Sequence, residues 1–317
     1  MQRMHSQKAA AGDVVIVTGC SSGLGLETAL YLAERGFKVY ATVRNLTARA
    51  EILQAAERRN VGLEVLALDV TDPASIDTAV TTVGEGTGGI YALVNNAGIG
   101  LRGCLEDLSL DEVRRVFETN VFGTMAVTQR VLPSMRAAGR GRIVTISSVG
   151  GRISSFGLSA YCGSKFAQEG MAEALALEIA PFGLQSIIVE PGIIKTTRWT
   201  INRGTAQRAL TPESPYQRLF AAHEKIADRI VERSKTRPVD VARTVHHALT
   251  TPRPRMRYVV GRPAAAAILL RRYLPNELFE RFYFGSLVRQ LTGDEGKPHP
   301  QPLSHEERGD AGTESSR

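Results

Sequence analysis

VVIVTGCSSGLG, Val14 to Gly25, is an apolar run that breaks into a glycine-rich turn and passes directly into a helical pattern. The unbroken apolar stretch Val14 to Val17 reads as a buried parallel strand, because a parallel sheet is covered on both faces and shows no polar alternation. Gly19, Gly23 and Gly25 supply backbone freedom and leave no Cβ in the way of a pyrophosphate. Between Leu24 and Arg35, the residues Leu26, Ala29, Leu30 and Ala33 recur at helical spacing. The start of that helix points unpaired amides and the positive end of its dipole at whatever the turn holds. Strand, glycine turn and helix in this order make a dinucleotide phosphate site; a tight structural turn is the other reading of the loop.

Outward from this unit, Gly36 stops the helix and Lys38 to Val43 (KVYATV) forms a second strand, so the chain opens on a βαβ unit. The end of that second strand faces the adenosine ribose in such units. Val43 stands where an NAD-selective protein carries Asp or Glu, and Arg44 follows with a planar donor fork suited to a 2′-phosphate. Ser21 is a second candidate donor. The missing acid together with the added cation points to NADP(H), with NAD(H) possible; a solvated Arg44 is the alternative.

The same alternation continues. A third strand, Glu64 to Leu68, ends on Asp69 and Val70; Asp69 is placed either to accept from an adenine amino group or to cap a helix, although Asp72-Pro73 is the stronger helix start. A helix from Pro73 to about Val83 gives way to the glycine cluster at 84–89. The fourth strand, Tyr91 to Val94, leads into Asn95-Asn96-Ala97-Gly98, small and amide residues that let a planar cofactor lie close to the backbone. Leu110 to Ala138 reads as one long helix containing Asn120, whose four hydrogen-bonding valences need partners if it is buried. The fifth strand, Arg142 to Ile146, ends in Ser147-Ser148, and the next helix carries Tyr161 and Lys165. A sixth strand at 185–189 turns outward at Pro191-Gly192, and a seventh spans 257–260 after a helix at 238–249. The segment 196–237 is the least regular and is expected to be a lid or binding loop. The fold class predicted is α/β: a single Rossmann-type, doubly wound parallel sheet of about seven strands with helices on both faces, followed by a C-terminal helical extension.

Composition agrees with one soluble domain carrying extensions. The 317 residues are 43% hydrophobic and 22% charged, which allows a sizeable core. Residues 1–12 lack the hydrophobic core of a signal peptide and read as a flexible leader, and no run of about 18 apolar residues spans a membrane. The expected location is therefore the cytoplasm. Cys20, Cys104 and Cys162 have no metal-ligand spacing and read as free thiols; no metal site is expected. The net charge of +7 is concentrated between Thr251 and Thr292, where eight arginines face two glutamates. No nucleic-acid motif accompanies them, so solvated arginines are the simpler reading and no nucleic-acid partner is expected.

Tyr161 and Lys165 lie four apart on a predicted helix, so both side chains share one face. An unperturbed tyrosine titrates near about 10; a neighbouring ammonium favours its phenolate. Such a tyrosine takes a proton from an alcohol or gives one to a carbonyl. Ser148, at the end of the preceding strand, is placed to hydrogen-bond an oxygen on which charge develops.

In this order and at these separations, TGCSSGLG, NNAG, Asn120, Ser148, YCGSK and PG resemble the short-chain dehydrogenase/reductase family over residues 13–262. The resemblance implies hydride transfer with NAD(P) at CH–OH groups and a catalytic set of Asn120, Ser148, Tyr161 and Lys165, with Asn120 holding a water that relays protons to solvent. It implies cofactor contacts at Gly19, Ser21, Ser22, Gly23, Leu24, Gly25, Arg44, Asp69, Val70, Asn96, Ala97, Gly98, Tyr161, Lys165, Pro191, Gly192, Ile194 and Thr196. The wording of GCSSGLGLETA, FKVYATVRNL and SVGGRISSFGLSAYCGSKFAQEG is similar to the branch of 17-beta-hydroxysteroid and retinol dehydrogenases. That branch implies a lipophilic substrate of steroid, retinoid or fatty type, met by Ser148, Leu158, Tyr161 and His223. A solvated helical histidine is the alternative for His223, and His246 and His247 read as plain helix residues. The family also implies a homodimer or homotetramer paired through the helices at 110–138 and 161–180. The competing reading is a non-catalytic Rossmann-fold NADP(H) sensor.

Within a C-terminal amphipathic extension over 263–293, residues 264–291 have apolar positions at helical spacing around a break at Pro275; a helical pair over the substrate cleft is the favoured reading, and peripheral membrane contact through this arginine-lined segment is the alternative. Residues 294–317 are polar and expected to be a disordered tail.

Overall fold

The computed structural model describes residues 9–195 and 203–292. Seven parallel strands form the main sheet: β1 (Val14–Val17), β2 (Lys38–Val43), β3 (Glu64–Ala67), β4 (Ala92–Asn95), β6 (Gly141–Ile146), β7 (Leu184–Pro191) and β9 (Arg257–Val260). Their order is β3-β2-β1-β4-β6-β7-β9, so the winding reverses between β1 and β4. Open α/β sheets bind ligands at the carboxyl ends of their strands beside such a reversal.

The unbroken apolar strands have a direct explanation. Val15, Val17, Val39, Ala41, Ala92 and Val94 enter one core cluster with Val241, Val245 and Leu249 of α8 (Pro238–Thr250). Their neighbours Val14, Ile16, Tyr40 and Leu93 enter a second, with Val80 of α3 (Pro73–Thr87) and Val127 and Val131 of α5 (Gly123–Ala138). Each strand thus feeds cores on both faces. Two buried polar groups tie α8 to the sheet: Tyr91 Oη donates to the Leu249 carbonyl at 2.8 Å, and Arg142 donates to the carbonyls of Ala248 and Thr251 at 2.7 and 2.8 Å.

Four details differ from the sequence expectation. α3 runs through Gly84 and Gly86 to Thr87 and stops only at Gly88, whose φ of 75° supplies the left-handed cap. The helix expected over 110–138 is interrupted: α4 (Leu110–Phe117) and α5 are joined by a π turn, Glu118–Phe122, centred on Asn120. The stretch expected to be least regular contains the 17-residue helix α7 (Gln217–Arg233), which buries Phe220, His223 and Val231 at helical spacing. Its many charges hide that stripe in the sequence. A short parallel pair, β5 (Gly100–Arg102) with β8 (Arg203–Thr205), lies outside the main sheet and carries no periodic signal of its own. The remaining helices are α1 (Gly23–Glu34), α2 (Arg49–Arg58), α6 (Ser159–Ile179) and α9 (Arg262–Tyr273).

The chain divides into two compact units at Arg272. The second contains α10 (Asn276–Thr292), on which Phe279 stacks on Tyr283 with ring centroids 5.1 Å apart. Two helices therefore flank Pro275, as the sequence predicts. Among the described residues no helix is long and apolar enough to cross a membrane. Cys20, Cys104 and Cys162 are free and buried; burial pushes the Cys20 thiol up to about 12 and Cys104 to about 11, so neither supplies a thiolate near neutral pH.

Candidate active site

The glycine loop is fastened to the end of β4. Thr18 Oγ1 accepts the backbone N–H groups of Asn96 and Ala97, both at 3.0 Å. Asn96 Nδ2 donates in return to the carbonyls of Thr18 and Gly19 at 2.8 and 3.1 Å. Gly19 has φ +71°, and a Cβ there would lie 2.8 Å from Ala97 Cα; a Cβ on Gly25 would collide with the Gly19 carbonyl and the Asn96 amide. The loop is therefore closed against β4 without room for side chains. Ser22 stands before α1 in extended conformation and makes no capping bond, and the first turn contains no acid. With no acid in its own first turn, the start of α1 beside Ser21 and Leu24 is a cradle whose chemistry fits a pyrophosphate.

The other expected cofactor contacts follow the strand ends. Arg44 is exposed after β2 with no ion pair to a described residue, while Val43 is 1% exposed inside the apolar cluster. Asp69 does not cap α3, which is the work of Asp72 with Pro73; its Oδ1 instead accepts from Thr71 at 2.9 and 2.7 Å. Val70 packs under Gly123, where a Cβ would meet its Cγ2 at 2.7 Å. Pro191 ends β7, Gly192 follows against Ala264, and Ile194 is buried. Thr196 lies outside the described residues.

Asn120, fully buried in the π turn, links three elements. Its Oδ1 accepts from Ile99 N at 2.8 Å, and its Nδ2 donates to the Ile99 carbonyl and to Ser164 Oγ, both at 3.0 Å. Its backbone carbonyl accepts from Thr124 Oγ1 at 2.8 Å and from Gln168 Nε2 at 2.5 Å. On α6, Lys165 Nζ donates to the Ile146 carbonyl and to Gln168 Oε1, each at 2.8 Å, and lies 5.8 Å from the centre of the Tyr161 ring. Burial pushes this ammonium down to about 8, partly offset by the charge of Glu169. A Cβ on Gly98 would lie 3.2 Å from Asn120 Oδ1 and 3.8 Å from Lys165 Nζ. A Cβ on Gly150 would lie 3.4 Å from both Ser148 Oγ and Tyr161 Cε1. The four residues are thus gathered at the ends of β4 and β6. Ser148 Oγ accepts from Gly150 N at 3.0 Å, which leaves its hydroxyl proton to donate.

His223 of α7 is buried, against the solvated alternative, with its ring 5.4 Å from Phe156. Phe220 packs over Gly157, so α7 lies along the segment that leads through Leu158, the residue before α6. Its Nδ1 has no hydrogen-bond partner among the described residues. His246 packs against Tyr31 and Phe37, and His247 against Tyr258, as plain helix residues.

Sequence reasoning missed Gln168 and the cluster of Glu169 on α6, Glu190 on β7 and Arg257 on β9, in which Arg257 Nε lies 3.1 Å from Glu169 and 3.2 Å from Glu190. The available signal was the adjacent polar pair Gln168-Glu169 one turn beyond Lys165.

The family profile described as short chain dehydrogenase matches residues 13–207. The 17-beta-hydroxysteroid dehydrogenase type 1 of Homo sapiens is 38% identical over 78% of this chain and 77% of its own. Retinol dehydrogenase 5 of Homo sapiens is 34% identical over 86% of this chain and 87% of its own. A crystal structure of a short-chain dehydrogenase from Streptomyces avermitilis superposes with a TM-score of 0.70 at 33% identity, covering 90% of this chain and 97% of that one. With the glycine cradle, the parallel sheet and the Tyr161–Lys165 helix in place, these matches make the chain a member of the short-chain dehydrogenase/reductase family, an NAD(P)-binding oxidoreductase acting on alcohol groups.

Proposed function

We propose that this protein is an NADP(H)-preferring dehydrogenase/reductase that interconverts an alcohol and a ketone or aldehyde on a lipophilic substrate of steroid, retinoid or fatty type. The observation that carries the reading is the convergence of Tyr161, Lys165, Ser148 and Asn120 beside an open glycine cradle. A bound nicotinamide cofactor supplies or accepts the hydride. Tyr161 moves the proton: the Lys165 ammonium beside it favours the phenolate, which takes a proton from an alcohol, and in the reverse direction the tyrosine hydroxyl gives its proton to a carbonyl oxygen. Ser148 donates its hydroxyl proton to the substrate oxygen as charge builds there. Asn120 holds α6 against the β4 end through Ser164 and Ile99, fixing the distance between Lys165 and the glycine cradle. The remaining lone pair of its Oδ1 is the valence open to a relay water.

Arg44 supports the NADP preference, since it is exposed after β2 with no ion pair to a described residue, at the strand end expected to meet the ribose. The similarity to relatives named for hydroxysteroids and retinol supports a large apolar substrate, and His223 and Phe156, with Leu158, are assigned to its wall. The segment 196–237 is assigned as the substrate loop. We assign the exposed apolar side chains Phe122, Met125 and Phe166, on the π turn, α5 and α6, to a homo-oligomeric interface. Incubating the full chain with NADP and estradiol or retinol, and with NADPH and aliphatic carbonyls, tests the reading by cofactor absorbance. Hydride transfer to at least one of them is expected; cofactor binding with no transfer across the panel would favour a sensor.

A further inference from the structure

Gln168 is 1% exposed on α6, one turn beyond Lys165. Three of its four polar valences are used, two of them on the proposed catalytic residues. Oε1 accepts from Lys165 Nζ at 2.8 Å, and Nε2 donates to the Asn120 carbonyl at 2.5 Å and to Thr124 Oγ1 at 2.9 Å. Thr124 Oγ1 itself donates to the same carbonyl, so both lone pairs of the Asn120 carbonyl are taken by protein donors. A side chain in a core position that is neither apolar nor able to titrate, and that joins an ammonium to a carbonyl, has a specific chemical use. An acid here would neutralise the ammonium, an apolar residue would leave it short of an acceptor, and an amide does neither.

We propose that Gln168 is a positioning residue for the Tyr161–Lys165 pair: its carboxamide fastens the Lys165 ammonium to the Asn120 carbonyl and so holds one positive charge at a fixed place beside Tyr161. The proposal rests on the reading of Tyr161 as the proton-transfer group. With the Ile146 carbonyl and Gln168 Oε1 each taking one N–H, Lys165 keeps a single proton to aim toward Tyr161 and the Gly98 side of the cleft. The carboxamide also separates Lys165 from the Asn120 carbonyl without passing a proton between them. The titratable groups around Lys165 are Tyr161 and Glu169 on α6. Glu169 is in turn paired with Arg257 of β9, which reaches Glu190 of β7, and Glu190 with Arg152. Gln168 is thus an uncharged side-chain acceptor for Nζ, beside the Ile146 backbone carbonyl.

The test is the ultraviolet tyrosinate titration of the full chain, taken as the difference between each protein and its Tyr161→Phe counterpart, which reads Tyr161 alone and needs no substrate. Gln168→Met keeps the volume and removes the bonds; the ammonium then loses an acceptor and the phenolate loses its support. The Tyr161 midpoint is expected to rise by about one pH unit, a tenfold loss of phenolate at a given pH. Ser186→Ala removes a buried hydrogen bond to the Ala172 carbonyl of the same helix and is expected to leave the midpoint in place. Should Gln168→Met fail to fold, Gln168→Glu serves, since a carboxylate cancels the ammonium and also raises the midpoint. A midpoint unmoved in the folded variant overturns the role of Gln168. A wild-type midpoint at the ordinary tyrosine value near about 10 overturns the reading of Tyr161 instead.

Discussion

Thr18 and Asn96 are reciprocally bonded: the threonine hydroxyl accepts the asparagine N–H, and the asparagine amide donates to the threonine carbonyl. The glycine loop after β1 and the end of β4 are therefore fastened into one piece. Thr18→Val leaves the N–H groups of Asn96 and Ala97 without their acceptor, at a cost of roughly 1–3 kcal/mol for a buried donor. A lower midpoint in urea unfolding, with NADPH binding weakened in the same variant, is the expected result.

Gly25→Ala attacks the same joint from the other side. The added methyl meets backbone, which cannot swing away, so the loop must shift. The expected outcome is a destabilisation of roughly 1–3 kcal/mol with cofactor affinity reduced by at least about tenfold, read by calorimetry and fluorescence titration.

Arg44→Ala is expected to weaken NADPH by about 10- to 150-fold and to leave NADH nearly unchanged, the gap expected of a charge-assisted contact worth about 1.5–3 kcal/mol. The ratio of the two dissociation constants is the readout. Val43→Asp is a poorer probe, because Val43 is buried with Val17 and Ala41 and a carboxylate there costs stability before it meets a ribose.

Lys165 gives the protein a pH signature. Its folded value, about 8, lies below the ordinary lysine value of 10.5, so between these the unfolded chain binds the extra proton and stability rises with pH. The penalty of burying the ammonium is present in full below about 8 and is relieved as pH climbs towards 10.5, by up to about 3 kcal/mol. Lys165→Met removes the titration, so the stability difference between wild type and variant should move in favour of wild type across that window. Urea unfolding at several pH values checks the slope; parallel curves would contradict it.

Much of this was legible in the sequence because the chemistry sits where strands end. Apolar runs fixed seven strands, and the glycine turn, the Asn-Asn-Ala-Gly stretch, Ser148 and Tyr161 with Lys165 follow them directly. The π turn at Asn120 was not legible, since an inserted residue leaves the apolar repeat on either side intact. Nor was Gln168, because only tertiary packing brings residues 168 and 120 together. The α7 stripe was masked by charge, and the 100–102 with 203–205 pairing joins segments too short to signal.

The most direct measurement of the central claim compares wild type with Tyr161→Phe in NADPH binding and in hydride transfer with estradiol, retinol and aliphatic carbonyls. The account predicts that both proteins bind NADPH within a few-fold of each other, while turnover of any active substrate falls by about 10²–10⁴ in the variant, the range for loss of a positioned acid/base. Equal turnover in the two proteins, or NADPH binding by wild type without hydride transfer to any member of the panel, would contradict it.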